Sequence, residues 1–317
     1  MKNYKISDPW IWKHNPLNLF RIRFDSDLKK KFLYMVEKNN MPNLIIHGPP
    51  GIGKTCIVNC ILFELSKKKN LNIMKLNASH ARGIHTARVK IKFFCETIID
   101  SEKVKKIIVI DEAESLTKYT QEALRRTIEN FSQTARFIFI CNCPSKIIEA
   151  LQSRCVVLKF KYVLEKMNMR IVAKIFYKEK VLFSTKGLES MVISSGGDAR
   201  ELLNESELVE KSFLMITSRT SKLFHFFPTI CFIDNFIFSI LNQNYLNALE
   251  IFLDIYNKGH RPFDVINYIF KSLKKIRFFH LRKLKILKIL CQLQIKVFSF
   301  EIDNTTLFLT LKNVLIT

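Results

Sequence analysis

Glycine is scarce in this chain, with eight residues among 317. Because glycine enters left-handed turns and close backbone approaches at the least cost, a sequence with so few keeps them where no other residue serves. Acidic residues are also few, 28 against 51 Lys and Arg, and the formal charge is +23. A field of that sign points to nucleic acid or an anionic membrane as partner. No apolar run reaches the ~18 residues that span a bilayer, and the opening MKNYKISDPW lacks the apolar centre of a secretion signal. The expectation is a soluble intracellular protein with no membrane contact. The cysteines at 56, 60, 95, 141, 143, 155, 231 and 291 form no C-x-x-C pair, which leaves a repeated zinc ribbon unsupported and fits a reducing compartment. Cys141 and Cys143 read as small core residues flanking Asn142. The chain shows neither an internal repeat nor a low-complexity tract.

What is present is a globular composition, 48% hydrophobic and 25% charged, at a length that suits two or three domains. Twenty-seven Phe and many Ile, Lys and Asn resemble the product of AT-rich coding, which accounts for some of the positive charge. Short β-branched runs, at Asn43 to His47, Ile107 to Ile110 and Arg136 to Cys141, alternate with helical patterns at Thr55 to Lys69, Thr117 to Asn130 and Lys146 to Arg154. Fully apolar strands of this kind belong to a parallel sheet covered on both faces, so residues 1–162 read as a doubly wound α/β domain. Strand signals then vanish. Helices are expected at Asn168 to Lys178, Lys186 to Ser194 and Arg200 to Lys211, making a small helical domain over 163–225. Ser221 to Pro228 reads as a linker, and residues 226–317 as a second, all-helical domain.

The chemistry is concentrated at His47-Gly48-Pro49-Pro50-Gly51-Ile52-Gly53-Lys54-Thr55, which carries the full G-x-x-x-x-G-K-[ST] pattern between an apolar strand and a helix. That context defines a P-loop. The backbone of Gly48 to Cys56 wraps phosphates, with N–H donors from its residues other than Pro49 and Pro50, and the positive end of the following helix faces them. Lys54 is placed to reach the β and γ phosphates of ATP, and the Thr55 hydroxyl to ligate Mg²⁺. A second strand ends in Asp111-Glu112, where Asp111 can hold the hydrated metal and Glu112 can polarise an attacking water. Asn142, at the end of a third strand, is either a turn residue or an amide that senses the γ-phosphate.

Further segments complete a pattern: Leu76-Asn77-Ala78-Ser79, Arg82-Gly83-Ile84, Asp111 to Ser115, Gln121 to Glu129 (QEALRRTIE), and Cys141 to Cys155 (CNCPSKIIEALQSRC). With these the chain resembles the small ATPase subunits of replication factor C, the AAA+ clamp loaders, most of all the subunit called second in human and fourth in yeast. The resemblance is dense from Pro42 to Phe160, thinner at Gly197-Asp198-Ala199-Arg200 and weak beyond Phe224. It implies an AAA+ ATPase domain, a helical lid and a helical collar. It also implies a nuclear heteropentamer with other replication factor C subunits that opens a sliding clamp and loads it on primer-template DNA. A reduced nucleus or nucleomorph would suit the AT-rich bias.

The resemblance assigns further roles. Arg154 of Ser153-Arg154-Cys155 would be an arginine finger in the neighbouring subunit's site; without it, a basic residue at a helix end reads as a surface residue. Arg200 would contact ATP from the lid. Arg82, Arg88, Lys90 and Lys92 would track the DNA backbone, with 88 and 92 on one helical face and Lys90 pointing elsewhere. Arg125 would approach the neighbour's nucleotide, and Leu116 and Tyr119 would face the clamp. The basic run Lys271 to Lys288 reads either as DNA-facing or as a solvated face.

Two departures stand out. Where the family has Pro-Trp-x-Glu-Lys-Tyr-Arg-Pro, this chain has Pro9-Trp10-Ile11-Trp12-Lys13-His14-Asn15-Pro16, so the Tyr-Arg pair tied to adenine contacts is gone. The acidic pair usual after Ala-Ser is replaced by His80-Ala81. Two alternatives to an active loader subunit stay open, an ATP-binding scaffold of the same ring and a different AAA+ DNA-remodelling ATPase.

Overall fold

A computed structural model describes residues 8–16, 18–19, 22, 25–38, 40–68, 71–79, 84–97, 105–162, 165–213, 215–223, 230–242, 244–257 and isolated positions between 259 and 295. The chain divides into two compact units, Met1–Ser221 and Lys222–Thr317. The boundary expected at residue 162 falls inside the first.

Five parallel strands form the main sheet of the first unit: β1 (Leu44–His47), β2 (Leu71–Asn77), β3 (Lys105–Asp111), β4 (Ala135–Cys141) and β5 (Val156–Lys159), in the order β2-β3-β4-β1-β5. Side chains alternate faces along a strand, and both faces here are apolar. Leu44, Ile46, Ile107, Val109, Ile138, Ile140 and Leu158 pack with α2 (Ser26–Glu37) and α3 (Lys54–Lys68) on one side. Ile45, Ile108, Ile110, Phe137 and Phe139 pack on the other, with α4 (Ile84–Glu96), α5 (Lys118–Asn130) and α6 (Glu149–Gln152). Each such side chain contributes roughly 1.5–3 kcal/mol by leaving water, so the sheet is a rigid platform for the loops at its carboxyl edge.

The three strands read from sequence are the central ones. β2 and β5 form the sheet's edges, where exposed polar positions such as Asn72 and Lys75 break the apolar run. The helix expected over Lys146 to Arg154 is instead a 3-10 turn at Pro144–Lys146, an extended Ile147-Ile148 and the short α6. The β-branched pair stays extended because Gln121 and Gln152 satisfy its backbone: Gln121 Oε1 accepts from Ile148 N at 2.8 Å, and Gln152 Nε2 donates to Ile147 O at 2.8 Å. Buried Gln121 also donates to Leu116 O and Lys146 O, both at 3.0 Å. Gln121→Ala strands these groups, and we expect a loss of about 2–3 kcal/mol. Urea unfolding would measure it, and a loss below about 0.5 kcal/mol would sink the assignment.

After β5 come α7 (Glu165–Glu179), α8 (Thr185–Ser194) and α9 (Ala199–Ser212), each within a few residues of expectation. The sequence reading missed a parallel pairing of β6 (Leu182–Phe183) with β7 (Met215–Ile216), whose two-residue strands are too short to leave a pattern. The expected linker begins inside α10 (Ser218–Leu223), and the rest of it lies outside the described residues. In the second unit, α11 (Ile230–Leu241) and α12 (Tyr245–Asn257) bury Ile233, Phe236, Ile240 and Phe252 with Val265, Ile269 and Leu290. Of the eight basic residues between Lys271 and Lys288, only Lys288 is described, and it is exposed. No helix among the described residues is long and apolar enough to cross a membrane.

Candidate nucleotide site

Strand order decides which loops meet. β4 lies between β3 and β1, with His47 paired to Cys141 and Ile110 to Phe139. Gly48, Asn142 and Asp111 therefore emerge side by side at the carboxyl edge, where open α/β sheets bind ligands. Lys54, buried at the start of α3, spends its three donors there: on Gly48 O at 2.7 Å, Pro49 O at 2.6 Å and Asn142 Oδ1 at 2.8 Å. Burial pulls its ammonium below the usual lysine range, against the Glu114 carboxylate and, more weakly, Asp111. An arriving phosphate would have to replace these contacts, all of them polar oxygens.

Thr55 Oγ1 donates to Asp111 Oδ2 at 3.0 Å. Two oxygens on adjacent corners of an octahedron of radius ~2.1 Å are about 3 Å apart, so hydroxyl and carboxylate fit Mg²⁺ as neighbouring ligands. Mg²⁺ characteristically takes one or two carboxylates and leaves the other positions to phosphate and water. Glu112 follows in the left-handed region, φ 53° and ψ 41°, which costs a non-glycine residue roughly 1–2 kcal/mol. The turn is held by Glu112 N donating to Asp111 Oδ1 at 2.9 Å and by Ser115 N and Oγ donating to Glu112 O at 2.9 and 2.6 Å. The Glu112 side chain is left exposed at the site's rim.

Glu114, to which the sequence reading gave no role, accepts from the Asn142 backbone N–H, from Asn142 Nδ2 at 2.6 Å and from Cys143 N at 3.4 Å. A third acid in Asp111-Glu112-Ala113-Glu114 was the available signal. Cys141 is buried as expected, and burial pushes its thiol up to about 12. Cys143 is exposed, a correction to its reading as core: it lies past the end of β4, beyond the sheet's cover.

The helical segment docks directly on the P-loop. Asp198 caps α9 by accepting from Arg200 N at 2.8 Å and Glu201 N at 3.1 Å, while Ala199 N donates to Gly51 O at 3.1 Å. Gly51 sits at φ +68°, and a Cβ there would fall 1.8 Å from Asp198 Oδ1. Turn and contact together require glycine. The Arg200 side chain is exposed, near enough to Lys54 for its charge to oppose the ammonium.

The altered N-terminal segment ties the same parts together. Trp10 of α1 (Trp10–Lys13) is buried, packs edge-on to Phe176 at 6.1 Å and donates its backbone N–H to Glu207 at 2.8 Å. Lys13 and His14 both reach Glu179 at 2.6 Å. Asn15 Oδ1 accepts from Cys56 Sγ at 2.9 Å, so the Cys56 side chain faces this segment.

Arg154 stands apart from this group. Its Nε and a terminal nitrogen reach Glu129 Oε1 at 2.6 and 2.5 Å, and it also donates to Ala150 O at 2.8 Å. Arg125 joins the same carboxylate at 3.3 Å. Desolvation opposes ionisation of Glu129, but bonds from Arg125 and Arg154 hold its carboxyl below the usual range. Tyr119 is exposed, and Leu116 is half-buried. α4 carries positions 88, 90 and 92; Lys90 and Lys92 are exposed, and Lys92 meets Glu96 at 3.5 Å. Arg82 and the side chain of Arg88 lie outside the described residues. Nor was buried Lys106 legible: it caps the carboxyl end of α4 by donating to Cys95 O at 2.8 Å and to Thr97 O.

Comparison with known proteins adds the family. Residues 44–162 match the model of the ATPase family associated with various cellular activities (AAA). Replication factor C subunit 4 of rice is 32% identical over 282 residues, covering 88% of this chain and 84% of the relative. Replication factor C subunit 4 of Saccharomyces cerevisiae is 31% identical, covering 87% and 85%. Among solved structures, the RuvB Holliday junction branch migration motor of Thermotoga maritima superposes with a TM-score of 0.56 at 18% identity, over 76% of this chain and 85% of that one. That likeness is one of fold.

Proposed function

Because this chain belongs to the replication factor C small subunits, within the AAA ATPases, we propose that it is an ATP-hydrolysing subunit of a heteropentameric clamp loader. The ring would open a sliding clamp and place it on primer-template DNA. The observation that carries this reading is the convergence of Lys54, Thr55, Asp111 and Asn142 at one edge of the sheet. In it, Gly48 to Cys56 cradle the phosphates, Lys54 neutralises the β and γ groups, and Thr55 with Asp111 holds Mg²⁺. The metal would supply charge neutralisation at the phosphates. Glu112 takes the proton of the attacking water, Asn142 senses the γ-phosphate, and Arg200 reports it to the lid. Arg154 acts on the neighbouring subunit's ATP.

Residues 1–162 serve as the ATPase domain, 163–225 as the lid and 226–317 as the collar. Arg82, Arg88, Lys90 and Lys92 contact duplex phosphates, which makes DNA binding salt-dependent and indifferent to sequence. A nuclear location goes with this reading. The expectation of a reduced nucleus or nucleomorph finds no support among the relatives above and is set aside. The test is co-purification with the partner subunits, then ATP turnover with clamp and primer-template DNA added singly and together. We expect the two together to stimulate most. Turnover indifferent to both would remove the loader reading in favour of another AAA+ activity.

A further inference from the structure

The amide of Asn142 lies between an acceptor-only group and a donor-only group. On one side the Glu114 carboxylate takes Nδ2 at 2.6 Å together with the Asn142 backbone N–H and Cys143 N at 3.4 Å. On the other, Lys54 Nζ donates to Oδ1 at 2.8 Å. An ionised carboxylate only accepts and an ammonium only donates, so both neighbours select the same orientation of the amide. The carboxylate is itself placed by a rigid turn: Ala113–Ser115 is a 3-10 helix with Ala113 buried and Ser115 bonded back to Glu112 O. Glu114 engages one Nδ2 hydrogen and leaves the second for a ligand.

We propose that Glu114 is a positioning residue: by fixing the Asn142 amide against Lys54, it sets how the site distinguishes ATP from ADP and how fast it turns over. The inference rests on the reading of Asn142 as the γ-phosphate sensor. Its chemistry makes Glu114→Gln informative. A glutamine of the same shape can turn its single carbonyl oxygen to the backbone N–H groups of Asn142 and Cys143, which sets its NH₂ against Asn142 Nδ2. One way to relieve the clash is to flip the Asn142 amide, which turns an N–H onto the Lys54 ammonium. Glu114→Asp keeps an acceptor-only group, one methylene shorter.

The test uses the reconstituted complex, with the partner subunits' own P-loop lysines changed to Ala so that turnover reports this site. For Glu114→Gln we expect kcat and the ratio of ATP to ADP affinity each to fall about tenfold. ADP affinity should stay unchanged, because the P-loop backbone supplies it; this also shows that the site is folded. Glu114→Asp should recover part of both losses. In an Asn142→Ala background, Glu114→Gln should add nothing, since a residue that acts through Asn142 has nothing left to position. Asn142→Ala alone separates the two levels. If it leaves turnover intact, the reading of Asn142 is wrong and the inference goes with it. If it lowers turnover while Glu114→Gln has no effect, or has its full effect on top of it, the sensor stands and the role of Glu114 is overturned.

Discussion

Replacing Arg154 with Ala is expected to lower ATP turnover at the neighbouring subunit's site by roughly 10³- to 10⁵-fold while the mutated subunit's own site keeps its chemistry. The magnitude is that of a guanidinium neutralising charge in a phosphoryl-transfer transition state. The placement in the neighbour's site is what the family resemblance implies, and the contacts of the folded chain accord with it: Arg154 is engaged by Glu129 and Ala150 O, whereas Lys54 is engaged by Gly48, Pro49 and Asn142. The folded state should barely register the change. Glu129 is exposed and keeps Arg125, and an exposed ion pair contributes only about 0–1 kcal/mol. Assembly and melting temperature should therefore persist while activity falls. Complexes in which one ATPase site at a time is left competent would locate the loss. A loss confined to the site of the mutated chain would refute the finger assignment.

That experiment also bears on what could be read from the sequence. The P-loop was legible because its function is local: strand, glycine turn, Lys54 and Thr55 follow one another, and the helix end supplies the field. The central strands were legible because burial on both faces leaves unbroken apolar runs; the edge strands β2 and β5 were not, because one flank is unpaired and polar residues enter. Glu114 could not be assigned in this way. Its partner Asn142 is 28 residues away, and only the pairing of β3 with β4 brings them together. The contact of Asp198 with Gly51 is similar, since the close approach that demands glycine is made by a distant helix cap. Arg154 is a different case: its function depends on a surface of another chain, so neither spacing nor the single-chain fold supplies it, and the family resemblance did.

Glu112→Gln is expected to lower hydrolysis at this chain's own site by about 10²- to 10⁴-fold with little change in ATP affinity. The carboxylate is the proton acceptor in the proposed reaction, and the amide is nearly its shape without its basicity. Nucleotide binding draws instead on Lys54, Thr55, Asp111 and the P-loop backbone, none of which changes. The backbone sharpens the argument. Glu112 is held at φ 53° by Ser115 and by the Asp111 carboxylate, and an L residue pays roughly 1–2 kcal/mol to stay there. Gln carries the same strain, so stability should match that of the parent. Gly removes it, and Glu112→Gly should be about 1 kcal/mol more stable while equally inactive. A gain in stability with loss of hydrolysis would mean that the fold keeps a strained residue at that position because the chemistry needs its carboxylate. Chemical denaturation of the three proteins, beside single-turnover hydrolysis and nucleotide affinity, separates the terms. If Glu112→Gln hydrolysed ATP at the parental rate, the base would have to be sought elsewhere, with Glu114 the next acid along the turn.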